Sequence, residues 1–236
     1  MSTPVAEEGL PDQYLSKLKQ RCRVLLLLEA AEQAGITPLP STRLHAFAYL
    51  ADVLSPVWKL IPFDGKIYKS VGGPHYPDLQ DEIDSLVVLG LVQVSDLAYE
   101  ARAGGGARIT GSYGLNFDSE HLEAIFMGLG ARSPADALDP ADYNFHSYLV
   151  ELAGALASLP DDEVGSAARA DVTYRVQAEL HDVVDFAEWA DDEWTANPSW
   201  QAAERFQAFL PTGSRVQSGE KLYLYATYLG RAIHGG

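Results

Sequence analysis

Glu179, His181, Asp182 and Asp185 crowd one short stretch of this sequence, and a metal ion is the chemistry such a cluster would serve. On a helix, Glu179 and His181 stand two apart and diverge, which leaves His181 and Asp185 as the one same-face pair, and two ligands do not make a site. A solvated His–Asp pair is the plainer reading. Asp52, Asp64 and Lys66 follow the D…D-x-K pattern that holds a metal and a water in some nucleases. Asp64-Gly65 is, however, a common turn pair, and nothing else of such a fold accompanies it. Nucleophilic catalysis needs a Ser or Cys with a base and an orienting acid. Cys22 lies within a leucine-rich helix, where a buried inert thiol is expected, and no G-x-S-x-G elbow occurs. No G-x-x-x-x-G-K-[ST] loop or strand-borne G-x-G-x-x-G is present, and Gly72-Gly73 and Gly104-Gly105-Gly106 are turn material. The expectation is a protein without catalytic residues, cofactor or metal.

The segments that carry these residues follow a definite order. From Asp12, apolar residues recur at Tyr14, Leu18, Val24 with Leu25, and Leu28 up to Gly35, which predicts a helix with a glycine stop. Its basic residues Lys17, Lys19, Arg21 and Arg23 fall on two faces and read as a solvated surface. Ser41 is the expected cap of a second helix broken near Pro56. A Pro- and Gly-rich connection, FDGKIYKSVGGPHYP, leads to a third helix from Pro77 to Gly90, with acidic residues facing away from the core. In GGPHYP, two glycines and two prolines predict a rigid bend that displays His75 and Tyr76 and sets the third helix at its angle. Alternation over Leu91 to Ala101 and again over Arg108 to Asn116, around a Gly-rich tip, predicts a β-hairpin. Three helices followed by a hairpin is the order of a winged-helix domain.

Residues 117–236 read as about five helices: Phe117 to Gly130 behind Asp118, Asp142 to Leu159, a long one from Val164 to Trp189, Ser199 to Phe209, and Gly219 to Ile233. The fold class expected is mostly α, with a winged-helix-like domain over 1–116 and an acidic helical domain over 117–236.

Charge separates the same two stretches. Residues 1–116 carry 10 basic and 13 acidic side chains, and 117–236 carry 7 and 20. The net charge of −16 over 236 residues argues against general affinity for phosphate backbones or anionic lipid. In a DNA-reading winged helix the third helix enters the major groove. Here it bears Asp78, Asp81, Glu82 and Asp84 and no basic residue, so DNA contact is at most local, through Arg102 and Arg108 at the hairpin tip. The composition, 47% hydrophobic and 21% charged, is globular. One cysteine suits a reducing compartment, and no apolar run approaches the roughly 18 to 20 residues of a membrane helix. A cytoplasmic location without membrane attachment is expected.

Residues 23–92 and 197–233 resemble the middle components of bacterial ABC-three-component systems, the Lamassu-like anti-phage group, and the first segment resembles more loosely the helical domain of Panacea-type antitoxins. The Lamassu-like resemblance implies a non-catalytic accessory subunit that partners an SMC-like ATPase and an effector. It carries over no catalytic residue. The alternative is a DNA-binding regulator or antitoxin. Large aromatics and arginines in exposed positions are the usual anchors of an interface. They single out the hairpin, with Tyr99, Arg102, Arg108 and Tyr113, and then the C-terminal helices, with Trp194, Trp200, Phe206, Tyr223 and Tyr228.

Overall fold

The computed structural model describes residues 12–63, 66–70, 72–101, 107–133, 135, 140–160, 162–176, 179, 181–185, 197–209, 211 and 213–234. It is mostly helical, with two small antiparallel sheets. Helix α1 (Asp12–Gln33) is exposed from Tyr14 to Lys19 and is then buried almost all round from Val24 to Ala31. It ends at Gly35, whose φ of +70° is the left-handed conformation that lets the chain turn off a helix. A two-residue strand β1 (Leu39–Pro40) leads into α2 (Ser41–Leu54), which runs through the centre of the protein and is continued by a 3-10 turn, Ser55–Trp58. Pro56 explains the break, because it cannot donate to the preceding turn.

The connection to the third helix is more ordered than its composition predicts. Strands β2 (Lys66–Ser70) and β3 (Gly73–His75) pair antiparallel within it. Helix α3 (Pro77–Val88) follows, with proline at its first turn and Leu79, Ile83 and Leu86 buried. Strands β4 (Val92–Ala101) and β5 (Ala107–Leu115) form the expected hairpin, and β1 adds to it in the order β1-β5-β4. Between Ser95 and Ala98 the register slips at a bulge, where Asp96 takes a φ of +53°.

Beyond the hairpin come α4 (Leu122–Gly128), α5 (Pro140–Leu156), α6 (Val164–Ala170) and α7 (Val172–Val176). Strand β6 (Val183–Asp185), α8 (Pro198–Glu204) with its 3-10 continuation Arg205–Phe209, and α9 (Ser218–His234) complete the described chain. Helix α4 starts at Leu122, later than the cap expected at Asp118. The long helix expected from Val164 to Trp189 does not form. Asp171 adopts an extended ψ of 141°, so that its carboxylate accepts from the amides of Thr173 and Tyr174, which ends α6 and starts α7. Strand β6 then pairs with β2 in the order β3-β2-β6, with Val184 turned inward opposite Ile67.

Buried side chains of residues before and after 116 form one continuous apolar cluster. Helix α5 packs on α1, and α6 packs on α2. Fully burying a leucine or phenylalanine contributes about 1.5–3 kcal/mol, and Leu27, Leu28, Phe47, Leu50, Phe126 and Leu149 are all closed to solvent.

Candidate functional site

Two buried carboxylates fix the frame. Arg23, expected on a solvated helix face, is instead fully buried and pairs with Asp52 at 2.8 Å. Asp52 also accepts from the Tyr76 hydroxyl at 2.6 Å and the Phe63 amide at 2.9 Å. The guanidinium lies over the Phe63 and Tyr76 rings, 4.8 and 5.1 Å from their centres. Asp52 is therefore structural and does not join Lys66, which pairs with Asp185 at the sheet edge; Asp64 lies outside the described residues. Tyr76 is buried as the anchor of α3, so the bend GGPHYP holds the helix and does not display that ring. Glu82, expected to face away, is likewise buried and pairs with Arg21 at 2.5 Å.

The second frame carboxylate is Asp171, closed to solvent and served by three hydroxyls besides the amides of Thr173 and Tyr174. Tyr49 donates at 2.5 Å, Tyr225 at 2.6 Å and Ser199 at 2.8 Å, joining α2, α9 and α8 at one point. Burial, reinforced by the Asp171 charge, holds both phenols well above the ordinary tyrosine range. Asn197 caps α8 through its side-chain oxygen while its amide donates to the Val53 carbonyl.

On this frame α2, α3 and the two hairpins enclose a cleft of about 610 Å³. Gln80, on α3, stands at its centre with its amide oriented by four partners. Its oxygen accepts from Ser41 Oγ at 2.9 Å and lies 3.2 Å from His45 Nε2, and its nitrogen donates to Asp84 at 3.0 Å and to the Tyr113 hydroxyl at 3.1 Å. His45 Nδ1 accepts from the Tyr76 amide at 3.2 Å, which places the imidazole proton on Nε2, pointing at Gln80. Ser41 therefore bonds across to α3; the residue in capping position on α2 is Pro40. His75 packs against His45 with ring centres 4.6 Å apart. The far wall is the hairpin. Val94 and Tyr113 face each other across the strands on the cleft side, and Leu97 extends that face outward. Gly111 allows this: a Cβ there would lie 2.8 Å from Val94 Cγ1 and 3.2 Å from Leu97 Cδ2.

Of the residues singled out in the sequence, Tyr99 is 80% exposed on β4 and Tyr113 is buried against Gln80. They sit on one hairpin with different surroundings. Arg108 is on β5 opposite Glu100, and Arg102 lies outside the described residues. Trp194 also lies outside them; Trp200 and Phe206 are partly buried against the core, and Tyr223 and Tyr228 are each about two-fifths exposed on α9. Tyr223 stays close to the body, since a Cβ on Gly154 would meet its hydroxyl at 2.6 Å.

Cys22 is half-exposed rather than buried, beside an apolar groove between α1, α3 and α4. His181 lies outside any described helix, at a φ of +76°, and its Nδ1 meets the Tyr68 hydroxyl at 2.9 Å. The helical face that would have paired it with Asp185 therefore does not exist. Among the described residues no three His, Cys, Asp or Glu side chains are placed to share a metal, and no helix is long and apolar enough to cross a membrane.

The residues that organise the cleft, His45 and Gln80, carry no motif in the sequence. The one available signal is the dense polar content of α2 and α3 on otherwise buried faces. Compared with protein-family models, curated proteins and solved structures, the chain matches none.

Proposed function

We propose that this chain is a non-catalytic accessory subunit that holds a larger protein partner, with α1, α2 and α3 and the β1-β5-β4 sheet forming a winged-helix unit whose wing is the β4–β5 hairpin. The observation that carries the reading is the hairpin's cleft side, which runs from buried Tyr113 to exposed Leu97 and Tyr99, 69% and 80% open. Exposed large apolar side chains on a projecting hairpin suit a protein interface. Val88 and Leu89 at the end of α3, and Phe117 just after β5, are exposed as well.

The resemblance to Lamassu-like middle components supplies the partner: an SMC-like ATPase of an anti-phage defence complex, which the subunit helps to couple to an effector. A DNA-binding regulator or antitoxin is the rival. Against it stand the solvent-facing carboxylates Asp78, Asp81 and Asp84 on the helix that would have to approach phosphates.

Co-expression with the products of the adjacent genes tests this directly. A stable complex with a coiled-coil ATPase is expected, together with little duplex affinity in the isolated chain. Tight, sequence-selective binding to duplex DNA that weakens steeply with salt, and no complex, would decide for the regulator.

A further inference from the structure

The cleft beside α3 has a chemical character of its own. Among the described residues that line it, Asp84 is the one carboxylate and there is no Lys or Arg. Asp78, Asp81 and Asp84 follow one another at three-residue spacing on α3, all exposed, and among the described residues none is paired with a basic side chain. On α3, Glu82 is the acidic residue that does have such a partner, Arg21.

The cleft's hydrogen-bonding capacity is equally one-sided. Gln80 is saturated by its four partners, and His45 spends both ring nitrogens on Tyr76 and Gln80. The Tyr113 hydroxyl accepts from Gln80, so its own proton remains to be given to an acceptor, and Asp84 accepts one bond from Gln80 and has capacity for more. Val87, Val94 and Leu97 supply the apolar part of the lining.

From these features we infer that the cleft takes a short basic segment of a partner protein, its arginine or lysine paired with Asp84 and Asp81, an aliphatic neighbour on Val87, Val94 and Leu97, and a main-chain carbonyl accepting from Tyr113. Charge complementarity selects this occupant. A phosphate backbone would meet three carboxylates, an acidic peptide likewise, and an uncharged peptide would leave Asp84 without the cation that α3 lacks. The inference rests on the proposed role as a subunit that holds a protein, and it adds where the partner enters and with what chemistry.

The test uses the full chain and a defined probe, the peptide acetyl-Leu-Arg-Leu-Arg-amide, followed by amide and histidine-ring NMR shifts. Saturable shifts centred on Ser41, His45, Gln80 and Leu97 are expected. Replacing both arginines by citrulline should weaken binding about tenfold, the loss of one charge-assisted hydrogen bond. Asp84→Asn together with Asp81→Asn should do the same, and both changes lie on the solvent face of α3, so the fold is kept. The inference is overturned if the peptide shifts the acidic surface diffusely with no focus on these residues, if citrulline binds as well as arginine, or if a duplex oligonucleotide shifts the same amides more strongly. Because the probe needs no partner, the two ideas fail separately. Peptide binding without an ATPase complex would remove the proposed role, and an ATPase complex with no peptide binding would remove the cleft.

Discussion

Arg23 of α1 and Asp52 of α2 form an ion pair, 2.8 Å from Nη2 to Oδ2, with both side chains shut off from water. Removing two charges from water is costly, and the pair persists because Tyr76 and Phe63 also donate to Asp52 while the Ala48 carbonyl accepts from Arg23. The same carboxylate that neutralises α1 thus positions the start of α3, and with it one wall of the cleft.

Breaking this pair from one side strands the other charge. Arg23→Ala is expected to destabilise the fold by about 3–5 kcal/mol, read from urea unfolding. The double change Arg23→Met with Asp52→Leu should recover part of that loss, since no buried charge is left. A double variant less stable than Arg23→Ala would show that the Tyr76 and Phe63 bonds dominate.

The Asp171 junction gives a prediction at alkaline pH. Tyr49 and Tyr225 have folded pKa values raised by burial and by Asp171, so the stability they confer is complete below the unfolded value near 10 and is lost as pH rises above it. Ultraviolet titration should show these phenols ionising only as the protein unfolds. Tyr225→Phe removes one donor to a buried carboxylate and should cost about 1.5–3 kcal/mol in urea unfolding.

His146, on α5, gives the acid counterpart. Burial pushes its imidazole below the ordinary histidine value, with Glu29 opposing and Arg132 reinforcing, and among the described residues its buried Nε2 finds no hydrogen-bond partner. A depressed folded pKa means the associated stability is present above the unfolded value near 6.5 and falls as pH drops below it. Melting temperature should therefore decline from about pH 6.5 downward, and His146→Leu should flatten that decline at little cost at pH 8.

Much of the fold was legible because it rests on local periodicity. The bounds of α1 and α3, the β4–β5 hairpin and the stripe of Leu222, Tyr225 and Leu229 on α9 all follow from spacing and punctuation. Spacing fails where a residue far along the chain decides. Arg23 looks solvated until Asp52 is brought beside it from α2. The apolar run after Val164 reads as a helix until Asp171 turns its carboxylate on the next two amides and β6 finds β2 as its partner. The cleft was hidden for the same reason, since Ser41, His45, Gln80 and Tyr113 come from three elements and meet only through tertiary packing.

Gly111 links the hairpin to the cleft. A side chain there would collide with Val94 and press on Leu97, so Gly111→Val should destabilise the hairpin by about 1–3 kcal/mol. Hydrogen exchange confined to β4 and β5 would register that loosening. Unchanged protection in both strands would mean the hairpin accommodates the new side chain.

If the hairpin's exposed apolar residues hold the proposed coiled-coil ATPase, mass photometry of the co-purified chains will register it. The wild-type pair should appear as one complex, and Leu97→Asp with Tyr99→Asp should release the ATPase while the isolated variant keeps its melting temperature, because both side chains are open to solvent. An undiminished complex in that double variant would show that the hairpin does not hold the partner.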